Sequence, residues 1–178
     1  PANLTITPDD VRGDRSNLTE GVLEEGWPLI DESRGKAMFI LLATGDMRGL
    51  YMDDRPGLVG ARMFPMFTSQ GQYPGEEVIF SLTDPIGDGG EITRLVEEGF
   101  IVRTRADSGG VEPDNNDTSR FEAALASGAH TIATDYPGPV EGMDYWIEIP
   151  EGNPSRCNPV IAPVWCTSLD IESLETSV

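Results

Sequence analysis

The run Phe100-Ile101-Val102-Arg103-Thr104-Arg105-Ala106-Asp107 alternates. In an extended chain Phe100, Val102 and Thr104 share one face, and Ile101, Arg103, Arg105 and Asp107 share the other. Just upstream, Ile92, Leu95 and Val96 fall on one stripe of a helix spanning Glu91 to Glu98, and Gly99 stops it. A helix, a glycine stop and a strand therefore follow one another.

The same order appears twice more. Asn17 is placed to cap a helix with Glu20 three residues on and Leu18, Val22 and Leu23 inward, Gly26 ends it, and the strand Ala37 to Leu42 follows. A third helix is capped near Asp117 or Thr118, buries Phe121, Ala124 and Leu125, stops at Gly128 and leads into Thr131-Ile132-Ala133-Thr134. Two further strands are expected at Arg62 to Phe67 and Val78 to Leu82, joined by the loop Ser69 to Gly75. Helices alternating with almost wholly apolar strands argue for a parallel α/β sheet. The two architectures left are a small doubly wound sheet and part of a (β/α)8 barrel, because a whole barrel needs about 250 residues. This chain has 178.

Thirty-one acidic residues against 12 basic ones give a net charge of −19. That balance excludes a nucleic-acid binder, which needs clustered cations to displace counterions from phosphates. An anionic membrane surface is repelled on the same grounds unless a divalent cation bridges the two. The longest apolar run, Ala37 to Ala43, is too short for a transmembrane segment. The opening Pro1-Ala2-Asn3 has no signal-like character, so a processed precursor or a piece of a longer chain is expected.

Cys157 and Cys166 lie nine apart among prolines, and His130, the only histidine, is far upstream. A disulfide closing a short C-terminal loop is the better reading, with two unrelated thiols the other. Sequons at Asn3, Asn17 and Asn116 mark glycosylation candidates and, with the disulfide, fit a secreted, extracellular chain.

In parallel α/β folds, chemistry gathers at the carboxyl ends of strands. There the sequence offers Arg103, Arg105 and Asp107 on one strand and Asp135 on the last. Paired guanidinium groups suit a phosphate, and the alternative is an internal layer of arginine–aspartate pairs. Asp135 is suited to hold an arginine or a metal. His130 begins its strand at the opposite end, which gives it a structural or exposed place. Asp53-Asp54 and Asp84 to Gly90 lack the spacing of an EF-hand and read as solvated turns, and Asp114 to Asp117 reads as a loop and helix cap. No metal ligand set is assigned.

Several strings occur in a telling order: Thr7 to Gly13, Gly26 to Pro28, Arg34 to Leu42, Val102 to Asp107, Asn116 to Arg120, Ala123 to Ala129, Thr134 to Pro137 and Arg156 to Val160. Together they resemble the C-terminal half of calcium-dependent, phosphatidylinositol-specific phospholipase C-like enzymes. The resemblance implies a TIM-type (β/α)8 barrel that cleaves phosphoinositides to diacylglycerol and an inositol phosphate, with two histidines and a calcium ion held mainly by an N-terminal half. Residues 1–150 would then form the C-terminal half of the barrel, and residues 151–178 a disulfide-closed tail with an acidic C-terminus. A separate N-terminal half-barrel chain would complete the fold, and Arg103, Arg105, Asp107 and Asp135 would line the mouth as the phosphate-binding half of the site. Arg120 would be structural. The chain departs from the family pattern at Ala43-Thr44-Gly45 and Ser81-Leu82-Thr83. Those departures frame the rival expectation, a non-catalytic barrel homologue that binds or supports.

Overall fold

The structure is a computed structural model that describes residues 4–150 and 155–172. The sequon at Asn3 and the greater part of the acidic C-terminus lie outside the described residues. Two compact units divide the chain, one of residues 1–81 and 98–101, the other of residues 82–97 and 102–178.

In the first unit, β1 (Thr5–Ile6) pairs in parallel with β2 (Ala37–Met38), and β3 (Ile40–Leu41) with β4 (Phe64–Pro65). Between β1 and β2 lie α1 (Pro8–Arg12), α2 (Leu18–Glu24) and the single turn α3 (Ile30–Ser33). Thr7 and Asp10 close a reciprocal capping box on α1, and Asn17 caps α2 by accepting the Glu20 N–H at 2.9 Å. Gly21 lets the two helices meet, since a Cβ there would lie 2.6 Å from the Val11 carbonyl oxygen. α4 (Gly45–Asp53) follows β3, and β5 (Ile79–Ser81) ends this part of the chain. Leu18, Val22, Phe64, Phe67, Ile79, Phe80 and Phe100 form its buried core.

The strand expected from Ala37 to Leu42 is corrected to two short strands. Its halves pair with different partners, β2 with β1 and β3 with β4, so no single ladder runs through Phe39. Nor is it buried, because Phe39 is 53% exposed and Leu42 69%.

The second unit holds α5 (Gly89–Glu97), β6 (Ile101–Arg105) from Val102 onward, α6 (Val111–Asn115), α7 (Ser119–Ala126), β7 (Thr131–Ala133) and α8 (Ser168–Glu172). Ile92, Leu95 and Val96 of α5 are buried, as are Val102 and Thr104 of β6. The alternation read along β6 therefore holds, with Arg103 and Arg105 on the half-exposed face. β6 and β7 are parallel, with Arg103 opposite Thr131 and Arg105 opposite Ala133. A second cluster buries Ala106, Phe121, Tyr145 and Ile147.

The expected disulfide joins Cys157 to Cys166. Its segment docks on the turn between α7 and β7: Arg156 donates to the Leu125 carbonyl at 2.8 Å, and Asn158 to the Gly128 carbonyl at 2.7 Å. A cation on a last-turn carbonyl also complements the helix dipole. Gly128 has φ +76°, and a Cβ there would sit 2.5 Å from Val160 Cγ2. The fold is thus mixed α/β with parallel sheets, compatible with half of a TIM-type barrel, and among the described residues no helix is long and apolar enough to cross a membrane.

Candidate functional site

Beyond the paired residues Arg105 and Ala133 the ladder makes one more bond, from the Ala106 N–H to the Ala133 carbonyl at 2.9 Å. Asp107 then takes over from the backbone. Its carboxylate accepts the Asp135 N–H at 3.3 Å and the Thr134 hydroxyl, and that hydroxyl in turn accepts the Tyr136 N–H at 2.9 Å. A side chain only 1% exposed thus fastens the end of β6 to the turn after β7.

The Arg105 guanidinium lies across the two strand ends. Its Nη2 donates to Asp135 at 2.8 Å and, more weakly, to Asp107 at 3.4 Å. The Nε of Arg105 is buried and has no partner among the described residues. Asp135 is 72% exposed, so the bond leaves an acidic group at the surface beside a fixed cation. Three of the four expected site residues, Arg105, Asp107 and Asp135, therefore form one cluster. Arg103 is half-buried on the same face of β6, two residues from Arg105, and has an interaction of its own.

A separate ion network stands behind this cluster. Arg120 of α7 donates to Glu112 at 2.6 Å, to Asp84 at 3.2 Å and to the Thr83 carbonyl at 3.2 Å. Glu112 also accepts the Ser108 N–H at 2.7 Å. Burial pushes the Glu112 carboxyl up, but the Ser108 N–H and the Arg120 guanidinium outweigh it and hold the group below its ordinary value. Arg120 thus ties Glu112 to Asp84, and Asp84 opens the exposed turn expected there while also meeting this arginine. Asp53 and Asp54 are exposed, the first closing α4 and the second in the turn that follows it. Asp114 lies in α6, with Asn116 left-handed just after it, and Asp117 accepts the Ser119 N–H at 2.9 Å.

His130 has the structural role expected of it. Its Nδ1 accepts the Val102 N–H at 3.2 Å, while its own N–H donates to the Val102 carbonyl at 2.8 Å. Desolvation around the ring pushes its pKa below the ordinary 6.5. One ring nitrogen is thus bonded to backbone, while the residue as a whole is exposed, and both outcomes were expected of it. Asn17 spends its side-chain oxygen on the α2 cap, and Asn116 is exposed.

Sequence reasoning missed Thr134, Glu112 and Tyr145. Thr134 precedes Asp135 at a strand end, which could have drawn notice. Glu112 and Tyr145 gave no signal, since their contacts come from distant parts of the chain. Tyr145 is buried, stacks edge-on against Tyr136 at 5.4 Å, and has a hydroxyl without a partner among the described residues. Burial, with Asp107 and Glu112 adding to it, pushes its pKa up to about 12.

Calcium takes six to eight oxygen ligands. No group of three or more histidine, cysteine or acidic side chains among the described residues is arranged to hold a metal, and the Asp107 oxygens are already engaged. The described residues therefore do not by themselves make a calcium site.

One family profile, described as phosphoinositide phospholipase C, Ca2+-dependent, matches residues 1–159. No curated protein and no solved structure matches the chain.

Proposed function

The chain belongs to the Ca2+-dependent phosphoinositide phospholipase C family, and from that premise we propose that it supplies the phosphate-binding half of a phospholipase C-type phosphodiesterase site. The observation that carries the reading is Arg105, held at the end of β6 by Asp135 and Asp107 with its Nε unspent. A guanidinium oriented before the substrate arrives stabilises the charge that builds on a phosphoryl group with little reorganisation. Arg103, on the same face of β6, adds positive charge. Asp107 and Asp135 orient Arg105.

The acid–base groups come from elsewhere in this reading, because the one histidine is bound to the Val102 backbone. A separate N-terminal half-barrel chain brings two histidines and the calcium ligands. One histidine would take the proton from the inositol 2-hydroxyl as that oxygen attacks phosphorus, and the other would give a proton to the diacylglycerol oxygen as its bond to phosphorus breaks. Exposed Phe39, Ile40 and Leu42, in and beside the short strand β3 of the first unit, give such a chain an apolar surface to cover. The Cys157–Cys166 disulfide favours an oxidising compartment, so secretion belongs to the same reading.

The test is to combine this chain with a separately produced N-terminal half. The pair should cosediment and release inositol phosphate from phosphoinositide vesicles only when calcium is present. A cosedimenting but inactive pair would favour a non-catalytic homologue, and no association would overturn the split arrangement.

A further inference from the structure

Arg48, in the first unit, is a cation without a counter-charge. It is 5% exposed, yet among the described residues no carboxylate is within ion-pairing reach, although the chain carries 31 acidic residues. Its guanidinium lies over the Phe67 ring at 4.9 Å and the Tyr73 ring at 5.7 Å. Nη1 donates to the Met66 carbonyl at 3.2 Å, and Nη2 donates to the side-chain oxygen of Gln72. Nε, on the same edge of the guanidinium as Nη2, is buried and donates to nothing among the described residues.

That edge is half used. Nε–H and Nη2–H point the same way and are spaced to take two oxygens of one oxyanion. Gln72 offers one neutral oxygen and leaves the second donor bare. A buried donor left unmade costs free energy, and more so on a charged group. Gln72 itself is exposed and sits on a surface loop whose position is fixed separately: buried Glu77 accepts the N–H groups of Gly71, Gln72 and Tyr73 at 2.6, 2.7 and 2.7 Å. Glu77 can therefore hold the backbone while the Gln72 side chain swings away.

We propose that Arg48 is a phosphate-binding residue, and that the Gln72 amide occupies its Nε–Nη2 edge until a phosphate group displaces it. The aromatic rings keep the guanidinium planar edge fixed and shield it from water, which strengthens its bond to an anion. A phosphate dianion offers two oxygens and more charge than the amide it replaces, so the exchange fills the bare donor. The site makes no demand on hydrolysis, and it stands or falls apart from the phospholipase reading.

Nitrogen-15 NMR of the arginine Nε–H groups in the full 178-residue chain tests this. Inorganic phosphate, titrated against a chloride control of equal ionic strength, should shift the Arg48 Nε–H resonance saturably. Gln72→Ala, a change at an exposed side chain, should tighten that binding about tenfold by removing the competing acceptor. Arg48→Lys should abolish saturable phosphate binding read at the Gln72 and Tyr73 backbone amides, and the remaining amide resonances of that variant show that the fold persists. Phosphoinositide-containing vesicles moving the same resonance, with phosphatidylcholine vesicles silent, identify a lipid headgroup as the source. Movement with inorganic phosphate and not with vesicles identifies free phosphate. An Arg48 resonance that follows only ionic strength in both proteins overturns the site, and equal affinity in both overturns the role of Gln72.

Discussion

Arg105 donates to Asp135 over 2.8 Å, and this single bond carries an exposed carboxylate from the end of β7 onto a guanidinium at the end of β6. Because Asp135 faces water, the bond contributes little to folding, about 0–1 kcal/mol. Asp135→Ala is accordingly expected to leave the urea midpoint almost unchanged. Its effect should appear in turnover of the assembled enzyme, as a fall in kcat larger than any change in KM, since the arginine loses its orientation.

Asp107 is the opposite case. Its carboxylate is buried and holds the Thr134 hydroxyl, the Asp135 N–H and one nitrogen of Arg105. Asp107→Ala strands those donors and should cost about 3 kcal/mol in urea unfolding. Thr134→Val removes one bond and should cost about 1 kcal/mol.

The docking of the disulfide segment on Gly128 can be tested with one methyl group. Gly128→Ala meets Val160 and also forces a side chain into φ +76°, so it should destabilise by about 2–3 kcal/mol. Gly109→Ala is the control, with φ +62° and nothing within 4 Å of the added Cβ, and should cost about 1 kcal/mol.

His130 gives the fold a pH dependence with a definite sign. Its folded pKa lies below the unfolded 6.5, so between the two values the unfolded chain binds more protons than the folded one. Stability should fall as pH drops from 6.5 through the folded value, where protonation of Nδ1 breaks the bond from the Val102 N–H. His130→Asn keeps an acceptor that does not titrate. Thermal unfolding from pH 7.5 to 5 should slope less in this variant, and identical slopes would remove the proposed cause.

Local pattern carried α2, α5 and α7, whose apolar residues recur at helical spacing and whose glycine stops are adjacent in sequence, although Leu23, expected inward on α2, is 54% exposed. It also carried β6, because Val102 and Thr104 alternate with Arg103 and Arg105 on a strand buried on one side only. The run Ala37 to Leu42 misled for a physical reason: apolar strand character reports what a chain can bury, and here Phe39 and Leu42 stay exposed while the ladder changes partner. α4 was not legible, since Gly45 and Gly49 weaken its propensity and its buried anchor is a charged residue, Arg48. At the site, strand alternation placed Arg105 correctly. The depth of Asp107 was hidden, because its burial depends on Thr134 and on the turn after β7, far along the chain.

The central claim is that Arg105 binds the reacting phosphate. The most direct measurement is calcium-dependent release of inositol phosphate by the chain assembled with its N-terminal half, comparing Arg105→Ala with Arg94→Ala, which alters an arginine paired to Glu91 on the surface of α5. The account predicts that Arg105→Ala lowers kcat about a hundredfold or more with the melting temperature nearly unchanged, while Arg94→Ala behaves as the unaltered protein. Equal turnover in the two variants, with both folded and assembled, would contradict it.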